Sequence, residues 1–191
     1  MMSTTQKLTL ADYLSLETGS EHRCEFVDGE MLEMPPESEK NVLIAVFLMA
    51  QFLKVLPFSW VRQNTTEIVV AGRVRLPDLM ILGAELVAAL QGQGRSTITD
   101  NMPAPLLVVE VVSPGKVNED RDYRYKRSEY AARGISEYWI VDPARAQVTV
   151  LTLVDGLYEA LVLSGEAVLK SSQVTGFELA IADLMQLQAP S

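Results

Sequence analysis

From Leu106 to Val112 the chain is apolar at every position except Glu110. A run this short and this rich in valine predicts a central strand covered on both faces, with a carboxylate inside it. A helical stretch follows, for which Asn118 is the expected N-cap, Glu119 to about Arg133 the body and Gly134 the left-handed residue after the last turn. Glu137 to Asp142, closed by Pro143, then reads as a strand again. Strand, helix and strand in this order predict a crossover with the two strands parallel and adjacent.

Turn dipeptides divide the remainder. Asp28-Gly29 between Arg23–Val27 and Glu30–Met34 predicts a two-residue hairpin near one end, and Asp155-Gly156 between Gln147–Val154 and Leu157–Leu163 predicts a second near the other. Thr9 and Asp12 form a capping-box pattern for a short helix ending near Gly19. Glu37 to Leu56 predicts a long helix, apolar nearly all round in its middle and therefore covered on most sides. Two stretches, Glu67–Val70 and Leu76–Leu82, predict strands with Gly72 as the turn between them, and Pro77 restricts the second to an edge or a strand start. Gln91 to Pro105 reads as one long irregular segment, and Ala182 to Met185 as a closing turn of helix. The expected class is α/β, a mixed sheet with helices on both faces and hairpins at both ends, forming one domain over residues 1–191.

Composition narrows the chemistry. With one Cys (Cys24) and one His (His22) in 191 residues, a disulfide framework and Cys/His-rich zinc or haem sites are excluded, and oxygen ligands remain plentiful. His22 reads as a surface residue and Cys24 as a core residue of the first hairpin. The start of the chain lacks the apolar segment of a secretory signal, and the most apolar stretch, Val42 to Ala50, is far shorter than the roughly 20 residues that span a bilayer. The expected compartment is the cytoplasm, with no membrane partner. A net charge of −9 opposes non-specific attraction to nucleic acid. Only residues 116–145, with seven Lys/Arg against six Asp/Glu, carry a positive balance, so phosphate contacts are expected there.

Ionisable groups inside apolar strands need partners, because an unpaired buried charge is costly. Asp78, after Pro77, and Glu110 are two such groups. Two carboxylates converging at strand ends can hold a hard divalent cation, with water completing its shell; each can equally be an edge residue facing water or an arginine. Asp122, Lys126 and Tyr130 stand four residues apart on one helix face, which could bring an ammonium near the acids. Spacing alone favours a simpler reading, an exposed Asp122–Lys126 pair. Tyr123, Tyr125 and Tyr130 could stack on bases, but on a crossover helix they read first as packing residues.

The strings Glu25-Phe26-Val27-Asp28-Gly29-Glu30, Pro77-Asp78, Val109-Glu110-Val111-Val112-Ser113-Pro114, Asp122 to Lys126 to Tyr130, and Gly134-Ile135-Ser136-Glu137-Tyr138-Trp139-Ile140-Val141-Asp142-Pro143 resemble the Uma family of endonucleases, in the restriction-endonuclease-like PD-(D/E)XK superfamily. The resemblance runs from about Thr9 to Met185, and the Glu-Tyr-Trp-Ile-Val-Asp-Pro string is its most specific piece. It implies a restriction-endonuclease-like fold and cation-assisted hydrolysis of nucleic-acid phosphodiesters, with DNA the expected substrate and Mg2+ or Mn2+ the cofactor.

By the same resemblance Asp78 and Glu110 are metal ligands, the Val111 carbonyl is a further ligand, and Glu25 is an additional acid from the hairpin. The superfamily lysine two residues after the second acid is replaced by Val112, and Lys126 takes its role from the following helix. The histidine that relatives carry near Lys40 is missing. The alternative function is a non-catalytic interaction or scaffold protein that keeps the fold. Phe47, Phe52, Phe58 and Trp60, in and beyond the long helix, lead to the expectation of a homodimer.

Overall fold

Local signals set the first elements. In α1 (Leu10–Ser15) the Thr9 hydroxyl accepts the Asp12 amide, and the Asp12 carboxylate accepts the Thr9 amide in return. The computed structural model describes residues 7–16 and 23–187. The expected helix end near Gly19, and His22, lie outside the described residues. β1 (Cys24–Val27) and β2 (Glu30–Glu33) form the hairpin foreseen around Asp28-Gly29, both of which adopt positive φ (53° and 88°). Cys24 is half-buried there.

α2 (Glu39–Phe52), capped by Ser38, is shorter at both ends than expected and leaves Val42 and Val46 exposed. A 3-10 turn (Phe58–Trp60) leads into β3 (Val61–Gln63), which sequence reading did not separate from its surroundings.

The next segment corrects an expectation. β4 (Glu67–Val70) turns at Ala71-Gly72 and pairs with β5 (Arg73–Arg75), whereas β6 (Leu79–Ile81) belongs to a different sheet. Leu76 to Leu82 is therefore not one strand paired with β4. Pro77 has no amide hydrogen to continue a ladder, and the chain changes sheets there. Its position is a strand start rather than an edge, since β6 lies between β3 and β8. The stretch expected to be irregular follows α3 (Ala84–Leu90) and contains β7 (Thr97–Ile98), which adds to β4 in parallel.

β8 (Leu107–Val111) is buried throughout and pairs in parallel with β9 (Glu137–Asp142) across the expected helical crossover. That crossover begins at α4 (Lys116–Asp120), three residues earlier than Asn118 as cap would place it. Gly115 adopts φ 111° just before the helix, and the Asn118 amide instead donates to the Pro114 carbonyl. A π-helical segment (Arg121–Lys126) separates α4 from α5 (Arg127–Ala132), and Gly134 takes the expected positive φ. β10 (Gln147–Val154) and β11 (Leu157–Ser164) form the second hairpin; β12 (Val168–Lys170), β13 (Glu178–Ala180) and α6 (Ile181–Met185) close the chain.

The six-stranded sheet has the order β11-β10-β9-β8-β6-β3 and is mixed, with helices on both faces. On one face Ile44, Leu48 and Phe52 of α2 and Leu184 of α6 pack on Leu79, Val109, Trp139 and Val150, with Phe52 stacked on Phe177 at 4.1 Å. On the other, Leu86 of α3 and Tyr130 of α5 cover Met80, Val108, Tyr138 and Ile140. A five-stranded sheet, β2-β1-β5-β4-β7, stands beside it, with Tyr13, Phe26, Val69 and Val74 forming a smaller core. No helix among the described residues is long and apolar enough to cross a membrane.

Candidate active site

The β6–β8 ladder pairs Leu79 with Val109 and Met80 with Val108. One step further stand Asp78 and Glu110, opposite each other and on the same face of the sheet. Asp78 comes into register because Pro77 ends the preceding segment, and its Oδ2 accepts the Val111 amide at 2.7 Å. The crossover segment lies over this face. Tyr130 donates its hydroxyl to Glu110 Oε1 at 2.6 Å, and Lys126 Nζ stands 2.8 Å from the same oxygen.

Lys126 is 1% exposed. The exposed Asp122–Lys126 pair that spacing favours is thereby overturned, because the face shared by these residues is the one the crossover turns toward its own sheet. The π-helical segment carries both residues, and single π turns of this kind recur at functional sites. Besides Glu110, the ammonium has Glu25 Oε1 at 3.4 Å and Asp122 Oδ1 at 3.6 Å. Three elements, the first hairpin, the central strand and the crossover helix, thus deliver carboxylates to one lysine.

A second layer, which sequence reading missed, holds these groups. Arg75 donates to Glu25 at 2.7 Å and forks onto Glu129 at 2.7 and 2.8 Å, all three being buried. Arg73 bridges Glu129 to Asp28 in the hairpin turn. Arg121 Nε lies 3.1 Å from Asp122 Oδ1. The available signal was the alternation Arg73-Val74-Arg75 in an apolar context, which poses for cations the question asked of Asp78 and Glu110. Asn41 is buried and donates toward Glu37, the Val112 carbonyl and Ser113. Lys40 is exposed and reaches the Pro143 carbonyl.

Electrostatics separate the acids. Burial would raise Glu25, but Lys126 and Arg75 outweigh it and hold the carboxyl at about 2. Burial raises Asp78 to about 6, with the Val111 amide and Lys126 only partly opposing it. Burial likewise drives Glu110 above the usual carboxylate range, with Lys126 opposing and Asp78 reinforcing the rise. For Lys126, burial works against the charge, yet Glu110, Glu25 and Asp122 prevail and keep the ammonium protonated. Asp78 and Glu110 are thus the two acids whose negative charge is least compensated, and they are neighbours.

The donors suit a hard divalent cation. Every side-chain candidate is a carboxylate oxygen, with no sulfur or imidazole among them, and Asp122 Oδ2 is buried with no hydrogen-bond partner. Among the described residues no three acids are drawn together tightly enough to enclose an ion by themselves. A cation here would take two carboxylates and complete its shell from main chain and water, the usual habit of Mg2+. Val112 is buried in the apolar layer with Tyr130 and Tyr138. Of the three tyrosines read as packing residues, Tyr130 is buried and Tyr123 partly so, donating to Asp142, whereas Tyr125 is 55% exposed. Tyr125 precedes Lys126 in the π segment and is largely exposed, which corrects its reading as a packing residue.

The Uma2 family model, described as "Putative restriction endonuclease", matches residues 10–182. Among solved structures, "a putative nuclease belonging to DUF820" from Anabaena variabilis ATCC 29413 is similar. It is 17% identical, with a TM-score of 0.70, covering 93% of this chain and 97% of its own. At that identity the likeness is one of fold. No curated protein matches the sequence.

Proposed function

The chain belongs to the Uma2 family, and from that premise we propose that it is a Mg2+-dependent nuclease hydrolysing phosphodiester bonds of DNA, with Mn2+ able to replace Mg2+. The observation that carries this reading is the placement of Asp78, one step before β6 and bonded to the Val111 amide, next to Glu110 of β8 and the buried ammonium of Lys126. Asp78, Glu110 and the main-chain carbonyl of Val111 would hold the cation. When bound, Mg2+ supplies Lewis acidity at the scissile phosphate and makes water a stronger acid.

The remaining work falls to side chains. In the overall reaction the oxygen of water bonds to phosphorus, the ester P–O bond breaks, and the departing oxygen takes up a proton. Lys126, whose ammonium Glu110, Glu25 and Asp122 keep protonated, offsets from within the fold the charge that builds on the phosphoryl oxygens. Glu25 fixes Lys126 from the hairpin side and is itself fixed by Arg75. Tyr130 holds one oxygen of Glu110 so that the other can turn to a ligand.

Calorimetric titration with Mg2+ tests this directly. Binding heat is expected for the unmodified chain and none for Asp78→Asn; absence of heat from both would favour the scaffold reading. Lys116 and Arg124, exposed on the helical segment that carries the only positive balance, are the expected contacts to the DNA backbone.

The proposed assembly is a homodimer, since cutting both strands of a duplex calls for two such sites. Of the four aromatic residues singled out, Phe52 is fully buried and Phe47 packs against the core, whereas Phe58 is 83% exposed. Val42, Val46 and Leu53 extend this apolar surface along α2. Light scattering at micromolar concentration is expected to give twice the chain mass, and Phe58→Glu to halve it. A monomer in both cases would remove the dimer.

A further inference from the structure

Asp122 enters the mechanism above only as one of three acids around Lys126, yet it is almost completely buried and one of its oxygens has no hydrogen-bond partner among the described residues. Its Oδ1 receives Arg121 at 3.1 Å, while Oδ2 accepts nothing. A buried carboxylate oxygen without a donor is costly and requires an explanation. The nearest mobile donor is Lys126, whose ammonium stands 3.6 Å from Oδ1, beyond hydrogen-bonding range, and 2.8 Å from Glu110 Oε1. The lysine thus contacts most closely the very acid that a divalent ion would use.

We propose that Asp122 is the positioning residue that receives the Lys126 ammonium when a divalent cation engages Glu110. Once Glu110 is shared with an ion of charge +2, the ammonium loses its closest partner and is repelled by the ion. It cannot leave for solvent, because the side chain is buried on all sides. Glu25 is a weaker destination, since Arg75 already holds its other oxygen at 2.7 Å. Asp122 Oδ2 is a free acceptor of a carboxylate whose other oxygen already stands 3.6 Å from the ammonium, and the flexible four-carbon stem of lysine can turn toward it to form a charge-assisted hydrogen bond. The π-helical segment sets the two residues side by side for this transfer. Asp122 then acts through Lys126 and not as a ligand, which agrees with the absence of a three-acid enclosure among the described residues.

This inference rests on Glu110 being a cation ligand, and its test separates the two claims. Mn2+ is titrated calorimetrically into the full chain, Asp122→Asn, Lys126→Gln and the double variant. Asp122→Asn is expected to weaken Mn2+ binding about tenfold, in the range of residues that support metal ligands from behind. In the Lys126→Gln background the same change is expected to have no effect, because there is no ammonium to receive. No heat from the unmodified chain overturns both claims. Heat that Asp122→Asn leaves unchanged, or reduces equally with and without Lys126, overturns the positioning role alone. Should a variant fail to fold by circular dichroism, crystal structures of the unmodified chain with and without Mn2+ decide. Nζ on Asp122 in the loaded form supports the transfer, and Nζ still on Glu110 refutes it.

Discussion

Asp78→Ala and Glu110→Ala are each expected to lower Mg2+-dependent cleavage of DNA by about 10^3-fold or more, at the upper end of what one electrostatic group contributes to such a transition state. Neither change should unfold the chain. Asp78 precedes β6, and its side chain makes one hydrogen bond, to the Val111 amide, so the expected loss is about 1 kcal/mol. That loss is countered by removal of a carboxylate that burial raises to about 6, whose charge is therefore costly to keep in the fold. Glu110→Ala leaves Lys126 between Glu25 and Asp122, still compensated. The measurement is cleavage rate with circular dichroism and a melting curve on the same samples. Undiminished cleavage by both variants would contradict the assignment.

The largest stability effect is expected at Arg75. Arg75→Met keeps much of the side-chain volume but strands Glu129 and Glu25, both buried, without the guanidinium that forks between them. Breaking a buried ion pair from one side costs about 3–5 kcal/mol, and here Glu129 would keep only Arg73 and Glu25 only the more distant Lys126. At about 2–4 °C per kcal/mol for a chain of this size, the melting temperature should fall by about 10 °C. Arg124→Met, on a surface pair with Asp120, should change it hardly at all. Equal melting temperatures for the two variants would show that the Arg75 network contributes nothing net to stability. Because Glu25 touches Lys126, the Arg75 variant should also loosen the site and lower cleavage by the surviving folded fraction.

What the sequence makes legible is local. Asp28-Gly29 and Asp155-Gly156 specify their hairpins through residues that tolerate positive φ, and the Glu110 strand announces itself by apolar run length. The crossover follows from handedness and connection length. Other features depend on contacts between segments far apart in the chain. β5 and β6 are separated by three residues but belong to different sheets, and only the partners available to each decide that division. Likewise α3, β7 and the β12–β13 ribbon are short elements stabilised by what they pack on, with little periodicity of their own.

The site shows the same split. Asp78, Glu110, Lys126 and Glu25 could be picked out by residue type, context and family pattern, and the fold draws them toward one ammonium and one strand pair. The burial of Lys126 and the unsatisfied Asp122 oxygen were not legible, since helical spacing alone describes an exposed ion pair equally well. Nothing in Arg121–Lys126 marks a π turn. Arg75 became visible as the organiser of Glu25 and Glu129 only once the two sheets stood side by side.

The central claim is that Asp78 and Glu110 share one divalent cation. Diffraction from crystals soaked in Mn2+, recorded at the manganese absorption edge, tests it most directly. The expected result is a single anomalous peak between the two carboxylates, at about 2.0–2.2 Å from an oxygen of each, with octahedral surroundings completed by main chain and water. A map without a peak there, with Lys126 still bound to Glu110 at saturating Mn2+, would contradict it.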